Sequence, residues 1–200
     1  MINRELLEGA RLLEQARGIS GATSDSELEF LALLASRVPS DNIVVEIGTM
    51  HGRSAVALSA GAPGRVYSIE YNPRPPLPPD GIFYFIAESS LNVSLNWKAS
   101  RDFSGCILPL MFKEMAEHTS LSIFTTDPVG LLFLDDDHIS GVTIVTINDW
   151  LSLMADNAVL ALHDNHMTEV QCVINTLSDN FLFEEKFELI SVFRRKSNGN

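Results

Sequence analysis

Five short apolar runs limit what this chain can fold into. They are IVVEI (43–47), RVYSIE (65–70), IFYFIA (82–87), VGLLFL (129–134) and the start of NAVLALHDN (157–165). A run this continuous has no wet face, and it suits a strand covered on both faces of a parallel sheet. Helical stretches fall between the runs. Residues 3–17 place Leu6, Leu7, Ala10, Leu13 and Ala16 near helical spacing. Ser24-Asp25-Ser26-Glu27 offers a capping box ahead of LEFLALLASRV, which Pro39 closes. Further helices are expected over 53–60, 141–154 and 168–178, and FLFEEKFELISVFRRK reads as a terminal strand pair. This alternation predicts an α/β, doubly wound sheet in a single domain over 1–200, with helices filling 1–40.

Two segments interrupt the pattern. NPRPPLPPDG carries five prolines, which remove donors and fix φ, so it is neither helix nor central strand. Residues 99–128 read as an insertion, with ESSLNVSLNW before it as a helix. The insertion's apolar, methionine-bearing stretch is expected to cap an acceptor pocket.

The bulk numbers exclude several classes. A net charge of -12 is the wrong sign for a nucleic-acid binder. The one basic cluster, Arg194, Arg195 and Lys196, is expected to end a strand. No apolar run reaches the ~18 residues of a membrane span, and the amphipathic N-terminus lacks the apolar core of a signal peptide. Cys106 and Cys172 belong to no CxxC pair and are expected as core thiols. The expectation is a reduced, cytoplasmic protein.

In open α/β sheets, ligands bind outside the carboxyl ends of the strands. That rule gathers five polar strand ends on one rim: Glu46 to Gly52, Glu70, Ala87 to Ser90, Asp135 to His138, and His163 to Asn165. VVEIGTMHGRSA puts ExGxxxG between a strand and a helix. Its glycines let backbone turn tightly near a ligand, and an acid before them suits a cationic ligand better than a pyrophosphate. Neither GxGxxG nor a Walker lysine is present, which argues against a dehydrogenase. Glu70 ends the second strand, where an acid can accept both ribose hydroxyls. Glu46 and Glu70 together read as a nucleoside-cofactor site.

VVEIGTMHGRSA, RVYSIEYNP, LLFLDDDH and LALHDN, in this order and spacing, resemble the class I S-adenosylmethionine-dependent methyltransferases. Within them they resemble the small metal-dependent O-methyltransferases of the catechol and caffeoyl-CoA type, and a related family with EIGxxxGRS, DxDH and a terminal HD. The resemblance implies a Rossmann-like fold: a mostly parallel seven-stranded sheet, an antiparallel C-terminal strand and helices on both faces. It implies that Gly48, Met50, Gly52 and Ser54, beside Glu46, hold the methionine end of S-adenosylmethionine. Glu70 would bind the ribose, Tyr71 and Ser89 would lie at the adenine, and Asp136 would face the cofactor. Asp135, Asp164 and Asn165 match three metal ligands, with His163 as a substitute for Asn165. His138 falls where that type carries its catalytic lysine.

The donor chemistry agrees. Two carboxylates and an amide are hard oxygen ligands suited to Mg²⁺ or a similar divalent cation. A nearby imidazole can take a hydroxyl proton. The resulting expectation is metal-dependent O-methylation of a small hydroxylated acceptor. Two alternatives stand beside it: a cofactor-binding protein without turnover, and a metal-independent N- or protein methyltransferase. Relatives of this type often dimerise, and the amphipathic N-terminal helix offers a homodimer contact.

Overall fold

The computed structural model describes residues 4–70, 82–87, 98–100, 127–136 and 138–197. The apolar runs become strands: β1 (Ile43–Ile47), β2 (Val66–Glu70), β3 (Ile82–Ala87), β5 (Val129–Leu134) and β6 (Met154–Leu162). A short β4 (Lys98–Ser100) and the terminal pair β7 (Phe181–Phe187) and β8 (Ile190–Arg195) complete one sheet, in the order β4-β3-β2-β1-β5-β6-β8-β7. The helices are α1 (Arg4–Arg17), α2 (Asp25–Ser36), α3 (Arg53–Gly61), α4 (Ser140–Leu151) and α5 (Thr168–Ile174). The capping box forms as read: Ser24 accepts from the Glu27 amide, and the Glu27 side chain accepts from the Ser24 amide.

The sheet is Rossmann-like, with a parallel centre: β1 pairs in parallel with β2 and β5, and β5 with β6. It departs from the expected seven mostly parallel strands in two ways. Lys98–Ser100 adds an eighth, edge strand. And β3 runs antiparallel to β2, pairing Val66 with Ala87 and Glu70 with Phe83. The connection explains the direction. A parallel return needs a crossover of about a dozen or more residues, usually a helix. Residues 71–81 hold five prolines, which a helix interior does not tolerate. Consequently Ala87 lies beside the start of β2, at the opposite end from the rim, so its expected placement there does not hold; Glu88 to Ser90 lie outside the described residues.

Both faces of the sheet are covered, as the continuous runs require. Val44, Val66, Leu131, Phe133, Val159 and Val192 face α1, α2 and α3. Ile43, Val45, Ile47, Leu132, Leu134, Leu160 and Phe193 face α4 and α5 through Ile147, Trp150, Val170 and Val173. Successive strand residues alternate between these two cores.

Arg53, in the GRS segment, is a clamp for α1. Its Nη1 donates to the carbonyls of Ala16, Arg17 and Ile19 (3.2, 2.9 and 2.5 Å). Its Nε donates to the Thr23 carbonyl, and Nη2 to Asp25 Oδ1. Ala16 and Arg17 end α1, where carbonyls lack an intrahelical donor, and Ile19 and Thr23 lie in the segment that follows it. Arg53→Ala is expected to lower unfolding free energy by roughly 2 kcal/mol in urea titration, because charge-assisted hydrogen bonds are lost. Arg53→Lys should recover only part of it, lacking the planar fork; full recovery would reduce the clamp to charge alone.

The basic cluster ends β8 as expected. Arg194 pairs with Glu184, Arg195 donates to the Met154 carbonyl, and Lys196 donates to the Ser178 carbonyl. Cys172 is not a core thiol: it is exposed on α5, because Val170 and Val173 take the buried side. Cys106 lies outside the described residues, as do Tyr71, Ser89 and nearly all of 99–128. Among the described residues, no helix is long and apolar enough to cross a membrane.

Candidate functional site

The carboxyl ends of β1, β5 and β6 meet on one rim because these strands are parallel and adjacent. After β1 the chain turns through Gly48 (φ 90°), Met50 (φ 51°) and Gly52 (φ 84°). A Cβ at Gly48 would overlap the Asp135 carbonyl oxygen. The turn therefore packs directly on the end of β5, and glycine is needed there for fold as well as for ligand approach. Gly52 is the N-cap of α3 and supplies no side-chain cap.

Glu46 is fully buried at the foot of this turn. Ser68 donates to its Oε2, while Oε1 has no hydrogen-bond partner. Burial pushes its pKa up to about 7; the hydroxyls of Ser54, Ser68 and Thr49 oppose that shift, and the charge of Asp135 adds to it. Ser54 is buried beside this carboxylate. Glu70 ends β2 on the same rim, one strand over.

Asp135, His138 and Asp164 come together, with one ligand atom of each within 4.8 Å of the others. His138 Nε2 lies 3.0 Å from Asp164 Oδ2 and 3.7 Å from Asp135 Oδ1. His138 and Asp164 both have left-handed backbone, φ 55° and 53°. Non-glycine residues there are uncommon, and such conformations concentrate at functional sites. Asp136 braces the His138 turn. Its Oδ1 accepts from the His138 amide at 3.0 Å, and Thr143 Oγ1 donates to both its oxygens at 3.2 and 3.1 Å.

Behind the cluster sits His163, only 1% exposed. Its Nδ1 is 3.1 Å from Asp135 Oδ1 and 3.6 Å from Asp164 Oδ2. Burial lowers its pKa, but the hydrogen bond to Asp135 and the charges of Asp135, Asp164 and Glu27 outweigh that and raise it to about 9. Without a bound ion, a protonated imidazole thus offsets the crowded carboxylates.

Asn165 is placed differently from Asp135 and Asp164. Its Nδ2 donates to the Glu188 carbonyl at 3.2 Å, and its buried Oδ1 has no partner. The imidazole of His138 joins the two carboxylates in the gathered trio. Glu27 was read only as a helix cap, yet it reaches the site through His163. Thr143 carried no signal in the sequence.

This arrangement of fold and rim is that of the Rossmann-like methyltransferases. The chain belongs to the methyltransferase-domain family, which matches residues 45–165, more than half of its length. No curated protein matches the chain. Among solved structures it is similar to MycE methyltransferase from the mycinamycin biosynthetic pathway, in complex with Mg, SAH and mycinamycin VI. The TM-score is 0.61 at 10% identity, over 96% of this chain and 56% of MycE. The chain thus spans little more than half the length of MycE. Cofactor-bound Rv0187 from MTB matches with a TM-score of 0.49 and 18% identity, over 98% of this chain and 91% of that one. The O-methyltransferase from Bacillus cereus, in complex with SAH, gives 0.48 and 17%, over 98% and 92%.

Proposed function

We propose that this protein transfers the methyl group of S-adenosylmethionine to a hydroxyl oxygen of a small acceptor, aided by a divalent cation. The gathering of Asp135, His138 and Asp164 beside the Gly48 turn carries this reading. Family membership supports the methyl transfer. The Mg, SAH and mycinamycin VI bound by MycE, on the same fold, support the cation and a small-molecule acceptor.

The residues present fit a cation. The two carboxylates bring a ligand atom each within 4.8 Å of the other, and the buried Asn165 Oδ1 is an acceptor without a donor. Asp135 and Asp164 would hold the ion, with Asn165 Oδ1 next to them. A bound divalent cation supplies Lewis acidity toward an acceptor hydroxyl. The His138 imidazole would take the hydroxyl proton, and bound S-adenosylmethionine would supply the methyl group to the acceptor oxygen, its sulfur leaving as the neutral thioether. The Gly48–Gly52 turn, Ser54 and Glu46 position the methionine end of the cofactor. Glu46 sits where a buried acid favours a cationic group. Glu70 holds the ribose, and Tyr71 and Ser89 serve the adenine. Asp136 acts on the cofactor's side by bracing the turn that carries His138.

Calorimetric titration of S-adenosylmethionine, with Mg²⁺ and then with EDTA, tests this. Micromolar binding is expected, lost in Glu70→Ala. Heat on adding Mg²⁺ is expected, lost in Asp135→Ala. Cofactor binding with no metal response in any buffer would leave methyl transfer standing and remove the cation from it.

A further inference from the structure

The group that touches His163 from behind comes from outside residues 45–165, the part of the chain that the family matches. Glu27, in the first turn of α2, is 1% exposed. Its carboxylate meets three partners. Oε2 accepts from the Ser24 amide at 2.8 Å, closing the capping box. Oε1 accepts from the Leu189 amide, in the turn between β7 and β8, at 3.0 Å. The same Oε1 lies 3.5 Å from His163 Nε2. That last contact has ion-pair length without the geometry of a hydrogen bond. The other ring nitrogen of His163 is hydrogen-bonded to Asp135. A chain of buried side chains therefore runs from helix α2 to a cluster carboxylate. A capping glutamate has no need to be buried against an imidazole, because its two backbone amides satisfy it.

We propose that Glu27 is a positioning residue of the cation site, holding the His163 ring so that its Nδ1 fixes the direction of the Asp135 carboxylate. The inference rests on the proposed cation site at Asp135 and Asp164. Groups hydrogen-bonded to a ligating carboxylate set its orientation, and changing them typically costs about 10–100-fold in metal affinity. Glu27 stands one contact further back, and it also ties α2 and the β7–β8 turn to the site. Asn165 joins the same turn through its bonds to Glu188 and Leu189.

The test is Mn²⁺ titration of the full chain, by calorimetry and by loss of the free-ion electron paramagnetic resonance signal. Glu27→Gln removes the charge facing His163. Glutamine has a single acceptor oxygen, so it can keep the capping box while the Leu189 amide loses its acceptor. The metal-free melting temperature is expected to fall by about 3 °C, the effect of one lost hydrogen bond in a chain of this size. The Mn²⁺ dissociation constant is expected to rise about 10-fold, the lower end of the range for outer-shell changes. S-adenosylmethionine affinity should stay near wild type. Ser26→Ala, which loses its bonds to the Ser24 hydroxyl and the exposed Glu188, should leave Mn²⁺ affinity unchanged.

A double-mutant cycle separates positioning from folding. His163→Asn retains a donor near Asp135 and loses the reach to Glu27. In that background, Glu27→Gln should have no further effect on Mn²⁺. Two results would overturn the proposal and leave the cation site intact: unchanged Mn²⁺ affinity in Glu27→Gln, or an equal loss in the His163→Asn background. A wild-type chain that binds no Mn²⁺ would instead overturn the site reading, and this inference with it.

Discussion

His138→Asn is expected to cut methyl-transfer turnover by about 10²–10⁴-fold, the usual contribution of a positioned general base. Asparagine is the informative replacement. Position 138 has φ 55°, and asparagine tolerates that backbone where alanine would be strained. The Asp136 brace on the backbone amide of residue 138 also survives the change, because it needs no particular side chain there. A base acts in the transition state, so kcat and kcat/KM should fall together while cofactor affinity holds. Asp164→Asn should show a second signature: weakened cation binding along with slower turnover. A His138→Asn variant within threefold of wild type would show that the imidazole is only a neighbour of the carboxylates.

Much of the site was readable because its parts are local. Asp135 and His138 are three residues apart at the end of one strand, and His163 and Asp164 end the next. The rule that parallel strands share a carboxyl edge then brings them together. The acid before the Gly48 turn was legible for the same reason. The reach of Glu27 to the site was not. Glu27 meets Leu189, 162 residues away. No local spacing encodes contacts made by a hairpin that packs late in the chain. The capping box hid Glu27 further, since it supplied a complete explanation for a glutamate at that position.

The fold shows the same division. An apolar run gives a strand and its burial on both faces, but it is silent about direction. β3 has the composition of a parallel strand and runs antiparallel, because connection length and chemistry decide direction. The prolines of 73–79 were read as forbidding a helix. The consequence, a reversed strand whose end leaves the rim, requires carrying that reading one step into topology. Cys172 teaches the converse: apolar neighbours in sequence do not bury a helical residue when positions 170 and 173 already define the inner face.

Glu46→Gln is expected to make the ligand-free protein more stable at pH 8 by about 3 kcal/mol, and to weaken S-adenosylmethionine binding. The sign follows from linkage. The Glu46 pKa rises from 4.5 to about 7 on folding. Between those values the folded state holds a proton that the unfolded state has lost, so stability falls as pH rises. Above pH 7 the folded chain carries a buried carboxylate with one oxygen unpartnered. Glutamine keeps an oxygen to accept from Ser68 and removes the charge. His163 adds a second slope. Its folded pKa of about 9 lies above 6.5, so its contribution is complete below pH 6.5 and is lost as pH rises toward 9. Because both variants of the comparison share His163, the difference between wild type and Glu46→Gln isolates Glu46. Urea titrations from pH 5 to pH 8 should show the two curves diverging, with wild type falling faster. Parallel curves would mean that Glu46 stays ionised throughout and that its neighbouring hydroxyls compensate its burial. Divergence with unchanged cofactor affinity would remove Glu46 from the binding site. Divergence with lost affinity would identify a charge kept at the expense of stability, because only a cationic ligand there can use it.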